Sequence, residues 1–295
     1  MTTTPQAVVP TTATPTRTRA VQTLSRGVGR LTSQARMLPG FLVVGGQRCG
    51  TTSMYRTLSQ HPAILKPVLH KGVHYFDTAY GRGPDWYRGH FPLQVTARRR
   101  ARRVGAAPVT FESSPYYMFH PLAAARIAAD LPGVRLLVLL RDPVERAYSA
   151  HAHELARGFE DQPFEAALEL EEGRLQGEAA RLAAEPAYVS HHHQHHGYLH
   201  RGRYLEHLLR LEHAVGRDRL HVVDSHRFFT DPEPVYAGVL AFLGLPDRET
   251  PVFERHNARA RTPMPDSLRN RLEEHFAPYD EELADWLGYP PSWRR

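Results

Sequence analysis

A glycine-rich segment, GGQRCGTT at residues 45–52, contains residue types that bind an anion. Glycine lets the backbone turn sharply, so that successive N–H groups point toward one place. Arg48 adds a cation, and the hydroxyls of Thr51 and Thr52 follow at the predicted start of a helix, whose N-terminus carries positive potential. This glycine-rich loop therefore predicts a phosphate or a similar anion as its ligand. The alternative is a turn without a ligand.

The glycine-rich loop differs at one position from the loop that binds nucleoside triphosphates. That loop reads Gly-x-x-x-x-Gly-Lys-[Ser/Thr], and its lysine reaches the β- and γ-phosphates. The spacing of Gly45 and Gly50 fits this pattern, but Thr51 stands where the lysine is required. The missing lysine argues against an ATPase or a kinase, and Arg48 is the cation within the loop. A P-loop small-molecule kinase is the alternative from another enzyme class.

A second candidate site follows the most apolar segment of the chain, VRLLVLL at residues 134–140. Arg141 comes directly after this segment, and Ser149 lies about two helical turns further on. Ligands of open α/β sheets bind at the carboxyl ends of the strands. Arg141 and Ser149 are therefore candidates for holding a second phosphate. Two alternatives stay open: an ion pair between Arg141 and Glu145, and a magnesium site at Asp142.

Alternating apolar and amphipathic segments predict the elements that position these residues. Short apolar runs predict buried strands at residues 41–44, 73–76, 109–112, 134–140 and 220–223. Helical patterns lie at residues 51–60, 122–131, 143–151, 160–196, 204–215, 234–243 and 268–287. Strands that alternate with helices predict an α/β fold, a single domain with a central parallel β-sheet flanked by helices.

Composition and charge favour one globular domain with a basic tail. Hydrophobic residues make up 41% and charged residues 23% of the 295 residues, an ordinary balance for a globular protein. Residues 1–38 hold five arginines and no acid, and this Arg-, Thr- and Pro-rich segment is predicted to be a disordered tail. The predicted domain at residues 39–295 is almost neutral, with 32 basic and 31 acidic residues.

The same composition argues against several classes of protein. With a single cysteine, Cys49, the chain forms no intrachain disulfide. Because Cys49 lies in the electropositive loop at the start of a helix, we expect the pKa of its thiol to be lowered. No apolar run reaches the roughly 20 residues that a membrane span needs, so we expect no transmembrane segment and a cytoplasmic protein. An almost neutral domain argues against nucleic acid as the partner. The basic run at residues 98–103 is expected to be a solvated face or to steer an anionic acceptor.

Two segments resemble the donor-binding motifs of the sulfotransferases that use 3′-phosphoadenosine 5′-phosphosulfate (PAPS). FLVVGGQRCGTTSMYRTL at residues 41–58 is similar to their 5′-phosphosulfate loop, and LLVLLRDPVERAYS at residues 136–149 is similar to their 3′-phosphate motif. KGVHYF at residues 71–76 and ESSPYY at residues 112–117 resemble the carbohydrate (heparan-type) branch and its bacterial relatives. The resemblance covers about residues 40–290 and implies a fold similar to that of P-loop nucleotide kinases.

The resemblance also implies a reaction and a set of residues. A sulfuryl group would move from PAPS to a hydroxyl or amine acceptor, a glycan or a small-molecule metabolite, by in-line transfer without a metal. A basic segment near the C-terminus would close over the donor. The matching residues are Arg48, Cys49, Gly50, Thr51 and Thr52 for the 5′ end of the donor, Arg141 and Ser149 for its 3′-phosphate, and Arg259 and Arg261 for the closing segment.

Two positions depart from the family pattern. Arg48 stands where the family usually has a lysine, but it keeps the charge that stabilises the leaving group and stays a predicted catalytic residue. Gly72 stands where the heparan branch has a glutamate that is thought to be the general base. His74 is the first choice for the base here, because its ordinary pKa suits proton abstraction at neutral pH. Glu112, at the end of a neighbouring predicted strand, is the second.

These departures leave further alternatives open. His74 is a packed histidine in one of them, and in another the chain is a catalytically degenerate homologue that binds nucleotide without turnover. HHHQHH at residues 191–196 has the i, i+4 histidine spacing of zinc sites, but no cysteine or carboxylate lies nearby in sequence, and no functional metal is predicted. Residues 155–197 are predicted to be a helical insertion on the acceptor side. Lys66 and Lys71 are the only lysines, and an arginine-rich composition favours a GC-rich bacterial source.

Overall fold

Parallel strands form the centre of the fold in this computed structural model, which describes residues 28–247, 250–254 and 262–294. Five strands lie within the described residues: β1 (Phe41–Gly45), β2 (Ile64–Leu65), β3 (Val109–Ser113), β4 (Arg135–Leu140) and β5 (Leu220–Asp224). They pair in parallel in the order β2-β3-β1-β4-β5. The predicted α/β class with a central parallel sheet is confirmed.

Helices connect the strands and cover the sheet. Those that end before β4 are α1 (Thr51–Leu58), α2 (Pro84–Arg88), α3 (Gln94–Val104) and α4 (Ala123–Asp130). Those after β4 are α5 (Pro143–Arg157), α6 (Phe164–Leu175), α7 (Glu178–Ala184), α8 (His191–His195), α9 (Tyr204–Val215), α10 (Ser225–Thr230), α11 (Pro232–Leu243) and α12 (Asp266–Leu287). Short 3₁₀ turns lie at Ser33–Ala35, Tyr80–Arg82, His200–Gly202, Arg217–Arg219 and Ser292–Arg294.

Both faces of the sheet are buried, because its strands carry apolar side chains on both sides. Leu42 and Val44 of β1 pack in one hydrophobic cluster, whereas Phe41 and Val43 pack in the cluster on the opposite face. Every residue of β4 from Leu136 to Leu140 is at most 1% exposed. Unbroken apolar runs of this kind are typical of parallel strands covered by helices. The sheet therefore forms a fixed platform, and the loops that follow its strands lie at one edge.

Residues 73–76 are not the strand that the apolar pattern predicted. Their backbone N–H groups bind side chains instead of a neighbouring strand: Val73 N–H donates to Glu112 Oε2 at 2.7 Å, and Tyr75 N–H donates to the Tyr117 hydroxyl at 2.8 Å. Tyr75 is 1% exposed, so the segment is apolar because it lies in the core. The edge strand beside β3 is the two-residue β2, which the apolar pattern did not predict.

Helix α5 begins where the sequence predicted. The Asp142 carboxylate accepts hydrogen bonds from the N–H groups of Val144, at 2.9 Å, and Glu145, at 3.5 Å. These bonds satisfy backbone donors that the first turn of a helix leaves unpaired. The helix continues past its predicted end at residue 151 and stops before Gly158, whose φ of 73° suits a glycine C-cap. The cap also fixes the chain directly after Arg141.

The helical pattern predicted over residues 160–196 is divided into α6, α7 and α8. Gly177, with a φ of 76°, separates α6 from α7, and residues 185–190 separate α7 from α8. Phe164 and Ala167 of α6 pack against residues of α5 and α12 in a third hydrophobic cluster. The region is therefore attached to the body of the fold. Its assignment to the acceptor side stays a prediction.

The described body begins within the segment that was predicted to be a tail. The Arg36 guanidinium donates to the Phe91 carbonyl at 2.7 Å, and Ser33 donates to Asp85 at 2.8 Å. Ser33 and Arg36 are thus attached to the body of the fold, so the boundary predicted at residue 38 is too late. The prediction for residues 1–27 lies outside the described part of the chain. Among the described helices, none combines the length and the apolar character of a membrane span.

Candidate active site

The glycine-rich loop joins β1 to α1 at the carboxyl edge of the sheet. Gly46 N–H donates to the Leu139 carbonyl at 2.6 Å, which fixes the loop to the end of β4. Gly50 has a φ of 85°, a left-handed conformation that favours glycine, directly before the helix begins. The first turn of α1 contains no acidic residue and no side-chain cap. The N–H groups at the start of a helix and their positive potential suit an anion, as the sequence predicted.

Arg48 connects the loop to the second motif. Its Nε donates to Ser149 Oγ at 3.1 Å, across 101 residues of sequence. Arg48 is predicted to bind the 5′ end of a donor and Ser149 its 3′-phosphate, and the structure brings the two side chains into contact. Ser149 is 6% exposed, on the face of α5 that lies against the loop. The two candidate anion-binding motifs therefore form one site.

Arg141 follows β4, at the edge where the loop lies. Its Nη2 donates to Glu145 Oε2 at 3.2 Å, so the ion pair that the sequence left open is present. Glu145 also binds Arg269 at 2.5 Å, and the carboxylate is shared between two guanidinium groups. The Tyr204 hydroxyl donates to the Arg141 carbonyl at 2.6 Å, which fixes the backbone. Of the five N–H donors of the Arg141 guanidinium group, one donates to Glu145.

Lys71 is a site residue to which the sequence analysis gave no role. Its Nζ donates to Thr52 Oγ1 at 3.0 Å and lies 3.4 Å from Thr51 Oγ1. Ser113 N–H donates to the Lys71 carbonyl at 2.9 Å, so the end of β3 positions this residue. Burial lowers the pKa of Lys71 to about 8. Only two features of the sequence indicate a role for Lys71. It lies in the segment KGVHYF, which resembles the sulfotransferases, and the chain has only one other lysine.

His74 forms a dyad with Asp77. Its Nδ1 lies 2.8 Å from Asp77 Oδ2; the Asp77 side chain is buried, and the His74 side chain is 45% exposed. Burial alone lowers the pKa of His74, but the hydrogen bond and charge of Asp77, with the charge of Glu112, outweigh it, and the net pKa is raised. A half-exposed ring in a loop with a φ of 56° argues against a simple packed histidine.

Gly72 leaves no room for a side chain. A Cβ built there would lie 2.6 Å from the Ser113 carbonyl oxygen and 3.0 Å from Ser114 Oγ. It would also lie 3.4 Å from His74 Nε2. The family glutamate therefore does not fit this backbone, and the imidazole of His74 lies beside the place where that side chain would begin.

Glu112 is buried and accepts four hydrogen bonds. Its Oε2 accepts from Val73 N–H and from Ser114 Oγ, each at 2.7 Å. Its Oε1 accepts from the hydroxyls of Tyr87, at 3.0 Å, and Tyr117, at 2.8 Å. Burial raises the pKa of Glu112 although these bonds oppose it. With every carboxylate lone pair engaged, Glu112 is placed to hold the 72–75 loop, and this arrangement favours His74 as the base.

Cys49 faces the interior of the fold. The electropositive loop led us to expect a lowered thiol pKa, and this was wrong: burial raises the pKa of Cys49, against smaller opposing effects of Arg146 and Arg141. Its N–H donates to the Gly46 carbonyl at 3.1 Å, and its carbonyl accepts from Ser225 Oγ at 2.8 Å. The residue contributes to the shape of the loop, and its backbone N–H is used within the loop.

The histidine-rich segment reaches the loop through a buried carboxylate. His195 Nδ1 lies 3.0 Å from Glu154 Oε2, and Glu154 Oε1 accepts from Gln47 of the loop at 3.3 Å. Arg201 donates to the Gln47 side-chain oxygen and, at 2.7 Å, to the His193 carbonyl. In the described part of the chain, no three His, Cys, Asp or Glu side chains are arranged to hold a metal ion. These hydrogen bonds instead connect the histidine-rich segment to Gln47 and so help to hold the glycine-rich loop.

Two predicted regions differ in how far the structure describes them. Arg259 and Arg261, predicted to close over the donor, lie outside the described residues, and their role stays a prediction. Residues 98–103 lie on α3, a helix without a buried residue, as expected for a solvated face.

Comparison with known proteins identifies the family to which this site belongs. The sulfotransferase domain family matches residues 38–259. The chain belongs to this sulfotransferase family. The fold also resembles the crystal structure of a sulfotransferase from Alicyclobacillus acidocaldarius, with a TM-score of 0.65 and 28% identity over 88% of this chain and 100% of that chain. The predicted family and fold are confirmed, and the kinase alternative finds no support.

Two human relatives of this chain act on heparan sulfate, according to their names. The bifunctional heparan sulfate N-deacetylase/N-sulfotransferase 3 is 28% identical over 290 residues, which cover 88% of this chain and 31% of the relative. The heparan sulfate glucosamine 3-O-sulfotransferase 5 is 27% identical over 288 residues, or 90% of this chain and 76% of the relative. The chain thus spans about a third of the first relative's length and three quarters of the second's.

Proposed function

We propose that this sulfotransferase moves a sulfuryl group from PAPS to a hydroxyl or amine of a glycan. The observation that carries the proposal is the contact between Arg48 of the glycine-rich loop and Ser149 of the second motif. A donor with a 5′-phosphosulfate and a 3′-phosphate needs two anion sites within one cleft, and this contact joins two such sites. The similarity to two heparan sulfate sulfotransferases supports a glycan as the acceptor.

The donor would lie along the carboxyl edge of the sheet. The start of α1, with Thr51 and Thr52, would hold the 5′ end through N–H and hydroxyl donors. Arg141 and Ser149 would hold the 3′-phosphate, with Arg48 between the two ends. Arg259 and Arg261 stay proposed as the closing segment. Because PAPS is a cytosolic metabolite in bacteria, the proposal includes a bacterial cytoplasmic setting.

The reaction needs a base, and the proposal gives this part to His74. The acceptor oxygen or nitrogen attacks sulfur while the bond from sulfur to the bridging oxygen breaks. The bond's electron pair stays on the phosphate, and the acceptor's proton goes to His74 Nε2. The buried Asp77 carboxylate, 2.8 Å from Nδ1, holds the tautomer that leaves Nε2 free to accept this proton. Transfer of this kind requires no metal, because the charge on the leaving phosphate is stabilised by fixed cations.

Calorimetric binding of adenosine 3′,5′-bisphosphate, in the absence of magnesium, tests the donor site. We expect micromolar binding to the wild type and a loss of about ten- to a hundredfold in Arg141→Ala, as for a hydrogen bond to a charged group. Arg99→Ala on the exposed α3 is the matched control and should bind like the wild type. Binding of ATP with magnesium in place of the bisphosphate would overturn the proposal.

Turnover separates an active enzyme from a degenerate homologue. We expect the wild type to transfer radiolabelled sulfate from PAPS to at least one member of a panel of glycans with free hydroxyls or amines. Bisphosphate binding without transfer to any glycan, amine or phenol in such a panel would favour the degenerate homologue.

A further inference from the structure

Lys71 reaches the glycine-rich loop from a different part of the chain. Its Nζ is 3.0 Å from Thr52 Oγ1, and its backbone carbonyl accepts from Ser113 N–H at 2.9 Å. The ammonium group is therefore positioned both by the first turn of α1 and by the end of β3. This places a cation at the end of the loop where the 5′ group of the proposed donor would lie.

The charge of Lys71 is not balanced by an acid in the described part of the chain. Its side-chain partners there are the neutral hydroxyls of Thr51 and Thr52, and no described carboxylate lies within 4.0 Å of Nζ. Burial lowers the pKa of Lys71 to about 8, and no nearby charge opposes this effect. A partly buried cation next to a helix N-terminus is unfavourable by itself and becomes favourable when an anion binds to both.

Arg48 donates one of its hydrogen bonds to the second motif. Its Nε is turned toward Ser149, at 3.1 Å, on the side of the proposed 3′-phosphate. Thr51 occupies the position at which a nucleoside triphosphate loop has its lysine. Lys71 lies 3.4 Å from the hydroxyl of that threonine. Lys71, which belongs to another loop, therefore places an ammonium group beside Thr51, where the glycine-rich loop lacks the lysine of a nucleoside triphosphate loop.

We propose that Lys71 is a catalytic residue that binds the 5′-phosphosulfate of the donor and stabilises the charge formed on the bridging oxygen. The inference rests on the proposed function. As the bond from sulfur to the bridging oxygen breaks, its electron pair stays on the phosphate, and the Lys71 ammonium remains protonated beside it. The acceptor's proton goes to His74, so the two residues divide the charge and the proton between them. A cation fixed there stabilises the transition state more than the ground state.

The presence of only two lysines makes this inference testable without an activity assay. Protein labelled with ¹³C-lysine gives two side-chain Cε signals by NMR. The spectrum of Lys66→Arg retains only the Lys71 signal and so assigns both. We expect the Lys71 signal to titrate near pH 8 in the free protein and at least one pH unit higher with adenosine 3′,5′-bisphosphate bound. The Cε signal of the exposed Lys66 should be unaffected by the nucleotide. If the Lys71 signal titrates at the same pH in the free protein and at saturating nucleotide, the inference is overturned.

Binding to matched variants separates this inference from the proposed function. Lys71→Met should bind the bisphosphate about ten- to a hundredfold more weakly, Lys71→Arg should recover part of the loss, and Lys66→Met should bind like the wild type. Adenosine 3′-monophosphate, which lacks the 5′ group, should bind Lys71→Met and the wild type equally, which excludes general misfolding. Equal bisphosphate binding by wild type and Lys71→Met would overturn the role of Lys71 alone. A wild type that binds no bisphosphate would overturn the proposed function.

Discussion

At the scale of single residues, the proposed proton transfer depends on the pair formed by His74 and Asp77. The imidazole is half-exposed toward solvent, whereas the carboxylate that orients it is buried. A buried carboxylate favours the protonated imidazole, and so raises the pKa of His74 although burial acts in the other direction. Since a general base works in its neutral form, the proposed role of His74 predicts that the rate of the reaction depends on pH.

The pH dependence of kcat/KM tests the His74–Asp77 pair. The proposed reaction needs a neutral His74 and a protonated Lys71. We therefore expect kcat/KM to fall as the pH decreases through the raised pKa of His74, and to fall again above about pH 8, where Lys71 of the free protein loses its proton. Asp77→Asn removes the charge that raises the pKa of His74. The acid limb should therefore move to lower pH, while the maximal rate falls because the tautomer is no longer held. His74→Ala should lose about 10²–10⁴ in kcat.

The control for this pair is Asp218→Asn, which changes an exposed aspartate on the surface. It should leave both the rate and the pH profile as they are in the wild type. An acid limb that stays in place in Asp77→Asn would argue against His74 as the group that titrates.

At the scale of elements, the 72–75 loop is held by the end of β3. Glu112 binds the N–H of Val73, and the Tyr117 hydroxyl accepts from the N–H of Tyr75. Gly72 lies so close to the Ser113 carbonyl that a Cβ would meet it at 2.6 Å. This close approach sets the distance between Lys71 on one side and His74 on the other. The loop is therefore the element in which a small change of backbone alters two site residues at once.

Gly72→Ala tests how the loop is positioned. The added methyl group must displace backbone, so we expect a loss of about 1–3 kcal/mol in the free energy of unfolding, measured with denaturant. Donor-dependent activity should fall as well, since Lys71 and His74 are displaced. Gly72→Glu, which restores the family residue, should not restore activity, because its Cβ meets the same carbonyl oxygen.

Gly173→Ala is the matched control for this substitution. Gly173 lies in α6 with open space around the position of a Cβ. Alanine favours a helix over glycine, so stability should stay the same or rise by up to about 1 kcal/mol. Stability of Gly72→Ala equal to that of Gly173→Ala would contradict the crowding at residue 72.

At the scale of the whole molecule, the site exists only when distant parts of the chain are assembled. Arg48 and Ser149 are 101 residues apart in sequence, and Lys71 meets Thr52 across 19 residues. The sheet places all of them at one edge, because parallel strands end on the same side. A nucleotide that binds both anion sites therefore recognises the folded state and not the unfolded chain.

Thermal unfolding with and without nucleotide tests this coupling. At a concentration of 100 times Kd, adenosine 3′,5′-bisphosphate should stabilise the fold by about 2.7 kcal/mol. This raises Tm by several degrees, at about 2–4 °C for each kcal/mol in a protein of roughly this size. Arg141→Ala at the same nucleotide concentration should show a much smaller increase, and adenosine without phosphates should show none. Equal increases for wild type and Arg141→Ala would place the nucleotide elsewhere.

The sequence by itself determined the features that depend on neighbouring residues. The apolar runs at β1, β3, β4 and β5 predict buried strands because both faces of a parallel sheet are covered. Asp142 predicts the start of α5, because its carboxylate binds N–H groups two and three residues away. The glycine-rich loop and the motif at Arg141 also carry their chemistry in consecutive residues. Fold class, family and two candidate anion sites followed from these local patterns.

Only the tertiary structure decided which side chains meet. Burial made the apolar segment 73–76 look like a strand, although its N–H groups bind the side chains of Glu112 and Tyr117. The contacts that define the site, Lys71 with Thr52 and Arg48 with Ser149, span long stretches of sequence. The spacing of apolar residues along the chain does not predict such contacts, because they depend on the order and register of the strands. Burial also reversed the expected pKa shift of Cys49, since desolvation outweighed the nearby positive charges.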